Sequence, residues 1–402
     1  MSSRNISILL LLFLSACGTE EEKLARMADK IHESILTVDT HCDTPMDFVD
    51  PEFDMGVRHE DGCVDFPKMI EGGLHSEFFA VFTGQGQRND SAFAKVHNDA
   101  LYIFNAIHKN VEKNSSVAEI AYTAADAYRI KKNGKIAAFI GMENGYPVGV
   151  DIAKVKQFYD LGARYITLCH TRNNDICDSS NDPAGPENNG LSEFGKKVVL
   201  EMNKLGMMID VSHMSDKSFN DVLDVTKAPI IASHSSSRAL CCSPRNLSDD
   251  MLLALKANGG VIQICILSAY LKTMEPNPDM ESKLTELRIK YGDYDTISTE
   301  ERKNQMRAEY REIRKRYEKL ATVSDIVDHI DHVVQVIGID HVGIGTDFDG
   351  GGGVEGCRNA AEVKNITIEL LRRGYTKKEI EKIWSGNIMR VLRQVEEISE
   401  KV

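Results

Sequence analysis

The sequence is short of basic charge. Its 402 residues carry 48 Lys and Arg against 61 Asp and Glu, a net charge of −13. Phosphate binding needs clustered Lys and Arg, so nucleic acid is not an expected partner. None of the nine cysteines forms a Cys-x-x-Cys pair, which removes support for a zinc ribbon. There is no internal repeat and no Pro- or Gly-rich linker, so neither a solenoid nor flexibly strung modules are expected. The apolar run from Ile6 to Leu14 is too short to span a bilayer as a helix. What remains is a chain that is 42% hydrophobic, enough to bury a core in one large domain or two ordinary ones.

Arg4, the run Ile6 to Leu14 and the small residues after it have the proportions of a signal peptide. Leu14-Ser15-Ala16-Cys17 resembles the lipobox of bacterial lipoproteins. The resemblance implies a signal peptide over 1–16, lipid attachment at Cys17 and a place in the bacterial cell envelope. Two or more acyl chains hold a protein stably on a membrane. An ordinary secretory signal with an incidental Cys17 is the alternative. Glu20, Glu21 and Glu22 then begin a polar tether over 17–30. Export permits disulfides, but most of the remaining cysteines are expected as small buried apolar residues.

Apolar strand-like runs alternate with helical patterns, which favours a parallel sheet of βα units. The strand candidates are 35–39, 78–83, 136–141, 164–169, 207–212, 229–233, 260–266 and 341–346. They number eight, as a (β/α)8 TIM-like barrel requires. Their apolar character suits strands covered on both faces. Ser192 to Leu205 carries Phe194, Val198, Val199, Met202 and Leu205 on one stripe, with Gly206 as a stop. Ser248 opens a helix to Ala257, closed by Asn258-Gly259. Helices are also expected over Val323 to Ile337 and Ala360 to Leu371. Residues 273–320 break the alternation. They are densely charged and predict an exposed helical insertion between strands seven and eight: a solvated helix, a lid or a dimer contact.

Five strand-like runs lead into residues that can hold a metal. These are His41-Cys42-Asp43, Glu143, His170, His213 and His234. Imidazoles and carboxylates are the ligands of hydrolytic zinc sites, and a barrel gathers the ends of its strands at one face. Residues i and i+2 of a strand share a face, so His41 and Asp43 can reach one metal. A lone His or loop Glu is more often structural; so many at strand ends reverse that expectation. His41 and Asp43 on one metal, His213 and His234 on another, and Glu143 between them make a two-metal site. Such metals sit about 3.5–4 Å apart and share a water. His170 is then free for a role beside them.

His41-Cys42-Asp43, Glu143, Ile209-Asp210-Val211-Ser212-His213, Ser233-His234-Ser235-Ser236, Arg245-Asn246 and Gly343-Ile344-Gly345-Thr346-Asp347-Phe348-Asp349-Gly350 together resemble the membrane (renal-type) dipeptidases. The match runs from about residue 35 to 395, with Gly386-Asn387 and Arg390 near its end. The resemblance implies a (β/α)8 hydrolase that holds two Zn2+ and cleaves dipeptides, including those with a C-terminal D-residue. It implies zinc ligation by His41, Asp43, Glu143, His213 and His234. It makes His170 the group that polarises the scissile carbonyl and Arg245 the partner of the substrate carboxylate, a task that suits a guanidinium fork. Asp347 becomes the acid/base residue, and Tyr270 a substrate contact or a packing residue. Members of the family are often dimers, so a homodimer is among the expectations. The chain departs from the family in its longer 273–320 segment, in its cysteine pattern, and in anchoring expected at Cys17 where animal members carry a C-terminal lipid signal. Two alternatives stay open: a related metal-dependent amidohydrolase acting on another amide or lactam, and a lipid-anchored protein that binds peptides without cleaving them.

Overall fold

The computed structural model describes residues 19–399, apart from 51, 293–296 and 298. The expected signal peptide and Cys17 lie outside the described residues. Nine strands occur among the described residues: β1 (Val38–Cys42), β2 (Ser76–Phe82), β3 (Ala118–Ile120), β4 (Ile136–Glu143), β5 (Ala163–Thr167), β6 (Met208–Asp210), β7 (Ile231–Ser235), β8 (Val261–Ile264) and β9 (Val342–Ile344). Eight of them form a nearly closed parallel barrel in the order β1-β2-β4-β5-β6-β7-β8-β9, with helices around it. The expected (β/α)8 TIM-like fold is borne out. The ninth, β3, lies off this path and pairs only with β4. Its three residues are too few for an apolar pattern to reveal.

Strand side chains alternate between two layers, as the pleat requires. Val38, Phe78, Phe139, Tyr165, Met208, Ile231 and Val261 fill the lumen, closed at one end by Ile388, Met389 and Leu392 of the helix Asn387–Ser399. Phe78 and Tyr165 come from strands that are not neighbours, yet their ring centroids are 5.6 Å apart. Phe79, Val81, Ile140, Met142, Ile166 and Ile209 face the surrounding helices in a second, larger cluster. Each such buried side chain contributes about 1.5–3 kcal/mol relative to exposure. The seam between β1 and β9 is closed above the strands. Asp347 N donates to His41 O at 3.0 Å and Asp43 N to Phe348 O at 2.8 Å. Asp39 accepts from Thr346 N across the same seam at 2.7 Å.

The expected tether is a helix from Glu20 onward, spanning Glu20–Ser34. Thr19 and Glu22 make a reciprocal capping box, and Glu20, Glu21 and Glu22 sit in the first turn, where the helix dipole favours acids. Ala28, Ile31 and His32 are buried against the body. The three glutamates therefore read as a helix start rather than a spacer. The helices Glu193–Leu205 and Asp249–Asn258 fall where expected, each capped by a left-handed glycine, Gly206 and Gly259. Over Ala360 to Leu371 the expected single helix is a 3-10 turn, Ala360–Glu362, followed by the helix Lys364–Arg372.

The described residues of the 273–320 segment form two helices, Pro278–Tyr291 and Glu300–Tyr317, between β8 and β9. Leu287, Tyr291 and Ile297 give this hairpin a small core of its own. It reaches the active face through Arg311, which pairs with Asp47 at 3.1 Å, and Arg314, which donates to Gly351 O at 3.1 Å. Six of the eight described cysteines are buried, Cys63 is half-buried and Cys242 exposed, and none is in a disulfide among the described residues. No described helix is long and apolar enough to cross a membrane.

Candidate metal centre and catalytic site

The strand ends deliver their polar residues to one place. His41 is the penultimate residue of β1, where a shift of register between Asp39 and Cys42 turns the strand; a bulge of this kind re-aims a side chain. Glu143 is the last residue of β4, and His213 follows β6 by three residues. His234 lies in β7, and His170 follows β5. His213 has a φ of 70° and Asp347 a φ of 60°, left-handed values that non-glycine residues adopt at some cost. Gly350 is required beside them: a Cβ there would lie 2.1 Å from Asp43 Oδ2 and 2.4 Å from Asp347 Oδ1.

Glu143 stands at the centre. Its Oε1 lies 3.1 Å from His213 Nε2 and 3.3 Å from His234 Nε2. Its Oε2 lies 3.6 Å from His41 Nε2, which is 3.4 Å from Asp43 Oδ2. One carboxylate oxygen thus faces each half of the cluster. His213 Nε2 and His234 Nε2 are 2.9 Å apart. Two imidazole nitrogens converging on a carboxylate present a cation site. Three sets of candidate ligand atoms, each within 4.8 Å of one another, overlap here: His41, Glu143 and His234; Glu143, His170 and His213; His41, Asp43 and Asp347.

The electrostatics fit a cation. Burial alone would raise the Glu143 carboxyl, but His41, His170, His213 and His234 outweigh it and hold the group ionised. Burial pushes His213 and His234 well below the usual imidazole range, so both are neutral, with a lone pair free. His41 Nε2 and Asp43 Oδ1 are buried with no hydrogen-bond partner. Buried polar atoms are rarely left so, and an imidazole nitrogen and a carboxylate oxygen match the donors that zinc takes.

The remaining predicted residues ring this cluster. His170 Nε2 is 3.8 Å from Glu143 Oε1, and its ring stands edge-on to Phe82. Its side chain is 24% exposed, the most open of the histidines here. Asp347 is pushed well above the carboxylate range by burial and by the nearby Asp43. Arg245 uses its guanidinium differently from expectation: Nη1 donates to Ser235 Oγ at 2.6 Å and Nη2 to His234 O at 2.7 Å. Its Nε is the buried donor without a partner. Tyr270 packs its ring 5.6 Å from that guanidinium. One neighbour was not anticipated. The buried thiol of Cys265, after β8, donates to Asp347 Oδ2 at 3.7 Å. Nothing in its local sequence distinguishes it from a packing cysteine.

Comparison with known proteins agrees with this geometry. Residues 25–402 match the model of the membrane dipeptidase family, peptidase family M19. Dipeptidase tcpJ of Claviceps purpurea is 33% identical over 343 residues, 84% of this chain and 70% of that protein. A dipeptidase of Schizosaccharomyces pombe, described as uncharacterized, is 31% identical over 398 residues, 94% of this chain and 85% of its own. The crystal structure of the probable dipeptidase PvdM from Pseudomonas aeruginosa superimposes with a TM-score of 0.81 at 32% identity, covering 94% of this chain and 99% of that one. The chain belongs to the membrane dipeptidase family, metal-dependent hydrolases of peptidase family M19.

Proposed function

We propose that the protein is a two-zinc dipeptidase that accepts dipeptides, including those with a C-terminal D-residue, at this site. The observation that carries the reading is the convergence of His41, Asp43, Glu143, His213 and His234 from four strand ends, with His41 Nε2 and Asp43 Oδ1 buried and unpartnered. His41 and Asp43 would hold one ion and His213 and His234 the other, Glu143 offering one oxygen to each. When bound, the two ions supply Lewis acidity and lower the pKa of a water to about 7.

The protein's own groups do the rest. His170, neutral through burial and open to the cleft, donates to the substrate carbonyl oxygen as negative charge develops there. Asp347 accepts the proton of the attacking water and delivers it to the leaving amine. The free Nε of Arg245 holds the substrate's carboxylate, with the Tyr270 ring against the guanidinium. A charged anchor for a free C-terminus restricts the substrate to short peptides. Lipid attachment at Cys17 and residence in the bacterial envelope belong to the same proposal, resting on Leu14-Ser15-Ala16-Cys17.

The test is a dipeptide library of L,L and L,D members, assayed for released amino acids with zinc and with chelator, beside a β-lactam panel. Chelator-sensitive cleavage of dipeptides supports the reading. Lactam opening alone points to another amidohydrolase, and bound but intact peptide points to a binding protein.

A further inference from the structure

Two hydrogen-bond chains end on the outer ring nitrogens of the cluster's histidines. On one side His41 Nδ1 lies 2.8 Å from Tyr165 Oη, and Tyr165 donates its hydroxyl proton to Thr40 O at 3.1 Å. The phenol has one proton, and both contacts are satisfied together only when it goes to that carbonyl. His41 Nδ1 then carries the proton of the shared contact, and a neutral ring keeps its lone pair on Nε2. The opposite tautomer would aim an Nε2 proton at oxygens 3.4 and 3.6 Å away, where no hydrogen bond forms.

On the other side His234 Nδ1 lies 2.7 Å from Ser233 Oγ, and Ser233 donates to Asp210 Oδ2 at 2.6 Å. Asp210 is saturated as an acceptor. It also receives Thr167 Oγ1 from β5, Ser212 N at 3.0 Å and Ser233 N at 2.8 Å. With the serine proton fixed on Asp210, His234 must donate through Nδ1 and present Nε2 bare. Tyr165 is also built in: a Cβ at Gly141 would lie 2.1 Å from its ring.

We propose that Tyr165 and the Asp210–Ser233 pair are positioning residues, each fixing the tautomer of one histidine so that each half of the metal centre receives a bare Nε2. This deepens the two-zinc reading and rests on it. A hydrogen bond to a ligating histidine's other nitrogen typically changes metal affinity by about 10- to 100-fold when removed. The two chains serve different halves, so their losses separate.

The test uses the full chain, stripped of metal, as wild type, Tyr165→Phe, Ser233→Ala and Ser233→Thr. Zinc stoichiometry and stepwise affinity are read by competition with a chromogenic chelator, and melting of the metal-free forms is read alongside. Two zinc sites are expected in the wild type. Ser233→Ala weakens one by about 10- to 100-fold, Tyr165→Phe weakens the other, Ser233→Thr keeps the wild-type pair, and metal-free melting is unmoved. A wild type that binds two zinc ions while both variants keep its affinities overturns the tautomer role alone. So does a variant that melts early and loses both ions together, since that is a purely structural effect. A wild type that takes up no zinc overturns the metal centre itself, and the positioning role with it.

Discussion

Asp347 combines a left-handed backbone and a thiol contact from Cys265 with a buried carboxyl beside Asp43; burial and the Asp43 charge raise its affinity for a proton. Asp347→Asn keeps the shape and removes the exchangeable proton. Turnover should fall about 10²- to 10⁴-fold while zinc content, measured by elemental analysis, holds; retained activity would remove Asp347 from the chemistry. Glu77 on β2 makes a second residue-scale case. Both of its oxygens are buried without a partner, and burial followed by Asp39 raises its carboxyl well above the usual range. A raised folded-state value stabilises below the unfolded value and is lost as pH rises through the folded one. Glu77→Gln should therefore melt higher than wild type in alkaline buffer, with the gap closing towards pH 4. An unchanged gap across that range would contradict it. His41, Glu143, His213 and His234 were legible because ligand chemistry is written in residue type. Cys265 and Tyr165 were not, because a thiol or phenol in a strand reads as packing until its neighbour is known.

At the scale of elements, the N-terminal helix Glu20–Ser34 was misread as a tether although Thr19 and Glu22 spell a capping box. The buried anchors Ala28 and Ile31 share one helix face, but they lie in a segment rich in acids and bases. His32 fastens this helix. It lies 2.7 Å from Thr367 Oγ1 and 3.2 Å from Gly73 O, edge-on to Trp384. Burial lowers its pKa from 6.5 to about 4. With a depressed folded value, its contribution is full above the unfolded value and is lost as pH falls towards about 4. The whole effect is about 3 kcal/mol. Protection factors over 20–34, corrected for the intrinsic pH dependence of exchange, should fall between pH 7 and 4.5 relative to the barrel strands; unchanged relative protection would refute the pin. The charged 273–320 stretch was legible as an exposed helical insertion. Its return to the active face through Arg311 and Arg314 was not, since those partners lie at Asp47 and Gly351.

For the molecule as a whole, the proposed metal centre would also be a stability device. Zinc would bind groups that only the folded barrel assembles, and at about 1,000-fold over Kd each ion would add about 4 kcal/mol. Chelation should lower the melting temperature by roughly 10 °C, and zinc should restore it. Calorimetry with and without chelator checks this, and coincident melting curves would argue against resident ions.

The sequence alone determined the barrel, because strands covered on both faces must be apolar throughout and the intervening helices carry their own periodicity and caps. It also determined the ligand chemistry, which depends on side-chain type. Only the tertiary structure decided which oxygen of Glu143 faces which histidine, that Arg245 Nε is left without a partner, and which groups lie against the outer ring nitrogens. Those depend on distances of about 3 Å between residues up to hundreds of positions apart, and local pattern holds no record of such distances.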